Sequence, residues 1–87
     1  MADWDTVVEA AHKLVTIDIL YEKANGEIVT HEVFPYSLRQ GDLMAFRTDV
    51  NEIRRFKIDR IRQVTLTGNP FVPEYPVELW KPYNELP

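Results

Sequence analysis

Residues 16–34 read TIDILYEKANGEIVTHEVF, and their period decides the fold. Ile17, Ile19 and Tyr21 alternate with Asp18, Leu20 and Glu22, the period of two expected of a half-buried strand. Asn25-Gly26 follows, a dipeptide that favours a tight hairpin because both residues tolerate positive φ. The return stretch, from about Glu27 to Phe34, is rich in Val, Ile and Thr and pairs back on the first strand. Pro35 has no N–H to give to a ladder, so it belongs at a strand end, a bulge or an edge.

Downstream the same pattern repeats. Tyr36-Ser37-Leu38 continues extended to a turn at Gln40-Gly41-Asp42, and Leu43 to Arg47 forms a third strand. Asp49-Val50-Asn51 turns the chain into a fourth strand, Glu52 to Ile58, where Arg54 shares a face with Phe56 and Ile58. Asp59-Arg60-Ile61 reads as one tight helical turn, and Gln63 to Thr67 as a fifth strand. Upstream, Trp4, Val7, Val8, Ala11, Leu14 and Val15 make one apolar stripe at helical spacing, with Asp3 available as its cap. Beyond Gly68-Asn69-Pro70, four of the six prolines mix with Phe71, Tyr75, Trp80 and Tyr83. Prolines oppose regular structure and aromatics oppose free disorder, so this tail is expected to lie extended along its own domain, with exchange to a second copy as the alternative.

The chain therefore reads as one mainly β domain over residues 1–87. A helix at about 4–14 precedes a small five-stranded antiparallel barrel of SH3-like or Sm-like type at about 16–67, and an extended Pro/aromatic C-terminal tail covers about 68–87. Eighty-seven residues allow a thin core, burying roughly two thirds or less of the unfolded surface. With no cysteine, disulfides, thiolate zinc and a cysteine nucleophile are excluded, and His12 and His31 cannot fill a structural zinc site alone. No apolar run approaches the ~20 residues of a membrane span. The N-terminus is acidic where a signal peptide is basic, so a cytoplasmic protein without membrane attachment is expected.

The net charge of −4 conceals three regimes: −5 over residues 1–38, +3 over 39–63 and −2 over 64–87. Arg39, Arg47, Arg54, Arg55, Lys57, Arg60 and Arg62 all lie in the middle segment. Arginine's planar fork suits phosphate and stacks on bases. The same residues equally suit a solvated sheet face paired with the acidic first third.

The stretch Arg54-Arg55-Phe56-Lys57-Ile58-Asp59-Arg60-Ile61 resembles the Arg-x-Phe-basic-apolar-Asp-Arg-Ile signature of WYL domains. Tyr21 with the Gly26 hairpin, Val33-Phe34-Pro35-Tyr36, Ala45-Phe46 and Phe71 are similar in order to further family positions, so the resemblance spans about residues 15–72. The defining triplet departs: Gly41-Asp42-Leu43 stands opposite Trp-Tyr-Leu, and whatever the two aromatics do is not carried over. The resemblance implies a helix against a five-stranded barrel. It also implies a ligand- or nucleic-acid-sensing module of bacteria and phages, of the kind attached to transcription factors and defence proteins. Several such domains bind single-stranded DNA or RNA through basic and aromatic side chains. Only about 15 residues precede the barrel, so no helix-turn-helix is expected upstream, and the chain is a free-standing module or a fragment.

No catalytic constellation is visible: neither histidine sits in a base motif beside a nucleophile, so no enzyme activity and no cofactor are expected. A metal site from His31 and Glu32 fails because adjacent strand residues face opposite sides. The expected ligand is anionic, single-stranded nucleic acid or a nucleotide. Arg54 and Arg60 would grip phosphate, Arg39, Arg47 and Tyr36 would line the same surface, and Tyr36 or Phe46 would offer a stacking face. The competing roles are structural: Arg60 as a carbonyl cap or acid partner, Phe46 as core. The alternative function is a protein–protein interaction or oligomerisation module, dimerising through a barrel edge or the tail without nucleic acid.

Overall fold

A computed structural model describes residues 4–79. The helix α1 (Trp4–Lys13) buries Trp4, Val7, Ala10 and Ala11, the three-and-four spacing of one apolar face. Asp3 and its capping role lie outside the described residues. Leu14 does not extend the stripe as expected. It takes φ of 55°, the left-handed conformation that stops a helix, and its side chain is exposed.

Five antiparallel strands follow: β1 (Val15–Glu22), β2 (Ile28–Arg39), β3 (Asp42–Arg47), β4 (Glu52–Lys57) and, after a 3-10 turn at Ile58–Arg60, β5 (Ile61–Pro70). They form one sheet in the order β4-β3-β2-β1-β5. Two strands separate β1 from β4, yet the rings of Tyr21 and Phe56 meet edge to face with centroids 5.2 Å apart. The sheet therefore curls until these strands face one another. Ile17, Ile19, Val33, Phe34, Leu43 and Ala45 are fully buried between its elements.

The turns explain the register. At Asn25-Gly26 only Gly26 takes positive φ, 89°. Its N–H donates to the Lys23 carbonyl at 2.9 Å and the Glu27 N–H to the Asn25 side chain at 3.0 Å. The loop is thus wider than a two-residue turn, with glycine supplying the left-handed step. The tighter turn is Gln40-Gly41, where both φ values are positive, 52° and 80°, between the paired Arg39 and Asp42. Pro35 sits inside β2 rather than at its end. The ladder with β1 runs only to Val33, and a register shift at Pro35/Ser37 loops Tyr36 out of the pairing with β3, so the missing N–H falls where β2 has a single partner.

β5 is longer than the period predicted. Between the pairs Ile17↔Leu66 and Val15↔Pro70 it carries extra residues, with Gly68 at φ 82°. Thr67 ties this bulge: its hydroxyl meets that of Thr16 at 2.6 Å and accepts the Asn69 N–H at 2.9 Å. The tail then docks on its own domain as far as it is described. Phe71 stacks on Phe34 at 4.5 Å, and its N–H donates to the Leu14 carbonyl at 2.8 Å. The Glu78 N–H donates to the Tyr36 carbonyl at 2.8 Å, and Val77 and Leu79 are buried. Residues 77–79 thus lie beside the part of β2 that β1 leaves uncovered. Trp80 and Tyr83 lie outside the described residues.

Candidate functional site

Curling of the sheet leaves an open hollow of about 510 Å³ where β1 and β2 face β3 and β4. Register assigns its side chains. Ile19 pairs with His31, so Tyr21, His31 and Val33 alternate onto the interior face. On the other wall Arg54 pairs with Ala45 and Phe56 with Leu43, which puts Arg54 at the rim of the face whose centre is buried. Arg47, opposite Val33, closes the same side.

The floor is aromatic. Phe56 contacts Tyr21 edge to face and lies against the His31 ring at 5.7 Å. Around it stand Lys23, Arg47, Arg54 and Arg55, and no carboxylate among the described residues lines the hollow. Each cation is instead paired with an acid that does not line the hollow, Arg55 with Asp42 at 3.5 Å. Arg47 makes a forked pair with Asp49 at 3.0 and 2.6 Å, Arg54 reaches Glu52 at 2.6 Å and Lys23 reaches Glu27 at 3.0 Å. Burial holds the His31 imidazole below its ordinary range; Arg47 and Lys23 add to this and Asp49 opposes it. The imidazole is therefore disposed to be neutral. Hydrogen bonding from Arg47 in turn holds the Asp49 carboxyl low.

A second hollow, of about 550 Å³, lies on the opposite side of β4, between the strands and the docked tail. Tyr36, Met44, Ile53 and Tyr75 supply its apolar surface, Arg39 and Glu78 a salt bridge at its border, 2.9 Å long.

The five residues singled out from sequence are divided by the fold. Arg47 and Arg54 share the first hollow; Tyr36 and Arg39 line the second; Arg60 is half-buried in the 3-10 turn and lines neither. They do not share one surface, because the curl of the sheet turns β4 into a divider. Tyr36 offers no free stacking face: it is buried, with Phe34, Phe71 and Tyr75 packed on its ring and its hydroxyl accepting the Glu74 N–H at 3.0 Å. Phe46 packs against Phe71 and the core. The capping role considered for Arg60 is filled by Arg62, which donates to the Asp59 carbonyl at 3.0 Å and pairs with Glu22 at 2.8 Å.

Sequence reasoning missed Tyr21, Lys23, His31 and Phe56. Lys23 lies in the acidic first segment, so a map of charge along the chain looked elsewhere. The available signal for His31 was its alternation with Val29 and Val33, which puts an imidazole on the interior face.

The WYL domain profile matches residues 3–66. The chain belongs to the WYL domain family. Every side chain of the first hollow falls inside the match, whereas Tyr75 and Glu78 of the second lie beyond it. Among solved structures the WYL chain is similar to Proteasome accessory factor B/C (PafBC) of Arthrobacter aurescens, with 26% sequence identity and a TM-score of 0.69. That likeness covers 82% of this chain and 12% of that one. No curated protein matches the sequence. Among the described residues no helix is long and apolar enough to cross a membrane, and no group of three or more potential metal ligands converges.

Proposed function

We propose that this WYL domain is a non-catalytic regulatory sensing module of the cytoplasm, which binds an anionic, base-bearing ligand in the hollow over Phe56. Single-stranded nucleic acid or a nucleotide meets that description. The observation that carries the reading is the convergence of Lys23, Arg47 and Arg54 over an aromatic floor that no carboxylate among the described residues lines. Phosphate contacts supply affinity and ring faces accept a base. Membership of the WYL family and the likeness to PafBC support the regulatory part.

The test is a titration of labelled single-stranded DNA and RNA at low and high salt. Displacing counterions from phosphates makes such a complex weaken with salt. An Arg47→Ala/Arg54→Ala variant that keeps its circular dichroism spectrum should lose the complex, while Arg60→Ala should retain it.

A second reading, a protein-docking module, draws on the other hollow, where Ile53 and Tyr75 are exposed beside the docked tail. A concentration-dependent dimer without oligonucleotide binding would favour it.

A further inference from the structure

Resting on that reading of the hollow, the arrangement of acids around it restricts which anion can enter. Glu27 belongs to the β1–β2 connection, Asp49 to the β3–β4 connection, and Glu52 opens β4. All three are exposed. Each pairs with one cation of the hollow, yet none of the three lines it. The inner surface is thus positive and the surrounding rim negative. A strand laid across the two hairpin connections would bring its internal phosphates beside Glu27, Asp49 and Glu52, which stand further into solvent than Arg47. A terminal phosphate can reach in between the hairpins to Arg47, the recessed cation, with Arg54, Lys23 and Arg55 around it. It also carries more charge, about −1.5 to −2 at neutral pH, with which to draw the Arg47 fork away from Asp49. The volume of about 510 Å³ falls in the range of small-molecule pockets, about 300–1,000 Å³, rather than of a groove that tracks a polymer.

We propose that Glu27, Asp49 and Glu52 form an acidic rim that makes the hollow selective for a terminal phosphomonoester bearing a base. A free mononucleotide and the 5′-phosphorylated end of a single strand share this chemistry. Arg47 and Arg54 bind the phosphate, the half-buried rings of Tyr21 and His31 above Phe56 receive the base, and the rim excludes internal phosphodiesters.

Binding of a 5′-phosphorylated oligothymidylate, its 5′-hydroxyl counterpart and thymidine 5′-monophosphate tests the rim, using the full chain, Asp49→Asn/Glu52→Gln and, as a charge-matched control, Glu9→Gln/Asp18→Asn. The expected result is a preference for the phosphorylated strand of at least about tenfold, of the order of one well-made charged contact. Asp49→Asn/Glu52→Gln should abolish this preference by admitting the hydroxyl strand, and the control should preserve it. Competition by the mononucleotide at similar concentration identifies a free nucleotide as the ligand source; failure to compete identifies a strand end, and both support the rim. Equal wild-type affinity for the two strands, lost in Arg47→Ala/Arg54→Ala, overturns the rim and leaves the hollow standing. Absence of binding by all three probes overturns both.

Discussion

The phenolic oxygen of Tyr21 accepts a hydrogen bond from the backbone N–H of Lys57 at 3.0 Å, across a sheet in which β2 and β3 lie between the two strands. This contact and the Tyr21–Phe56 ring pair join the strands whose approach forms the walls of the hollow. Tyr21→Phe keeps the ring and removes the acceptor, so it should cost about 0.5–1.5 kcal/mol in urea denaturation. Tyr21→Ala also removes the ring contact and should cost more.

Glu32 holds together four parts of the chain. Its carboxylate accepts from Thr16 at 2.7 Å, Asn69 at 2.9 Å and Thr48 at 3.3 Å, which ties β1, β5 and the β3–β4 connection to β2. The Thr16 hydroxyl and then Asn69 hold its carboxyl below the usual range; burial opposes them, and Thr48 adds a smaller lowering. A carboxyl with a lowered folded value stabilises the fold above its unfolded pKa, about 4.3, and loses that contribution as pH falls through the folded value. Stability followed by urea midpoint should fall in that acid window, and Glu32→Gln should flatten this part of the profile.

The His31 imidazole has the opposite charge type. Its folded pKa is lowered, so the unfolded chain binds the proton more readily; stability should decline as pH falls below about 6.5 towards the folded value. A bound anion favours the imidazolium, so binding should take up a proton and tighten as pH falls through this region. Calorimetry in buffers of different ionisation enthalpy reads the proton uptake. The part due to His31 is the difference between the wild type and His31→Gln, since a phosphomonoester titrates nearby.

Phe71 fastens the tail through its stack on Phe34 and its contact with Phe46. Phe71→Ala should destabilise the chain by about 2–4 kcal/mol, less than a fully buried phenylalanine at the upper end of its range. Amide exchange at Glu78, whose N–H is bonded to the Tyr36 carbonyl, should accelerate with it.

The strands were legible because Ile17, Ile19 and Tyr21 keep a strict period and Gly26 and Gly41 mark the turns. Leu14 was misplaced because helical spacing says nothing of where φ turns positive. The sequence places the end of the compact part at Gly68-Asn69-Pro70, although a bulge lets pairing with β1 resume at Pro70, since the Thr16–Thr67 contact that ties the bulge is a tertiary one. The candidate site was only half legible. Arg47 and Arg54 are neighbours across a register readable from the third and fourth strands. Tyr36 and Arg39 are separated from them by the curl of β4, which no linear charge map contains.

In the proposed function the anion enters between β1–β2 and β3–β4, over Phe56. Backbone amide shifts of isotopically labelled protein, followed as single-stranded oligothymidylate is added at low salt, test it most directly. With that entry, perturbations centre on Tyr21, Lys23, His31, Arg47, Arg54 and Phe56, and Arg39, Tyr75 and Arg60 change little. Perturbations centred on Arg39 and Tyr75, or a spectrum unchanged at saturating oligonucleotide, would contradict it.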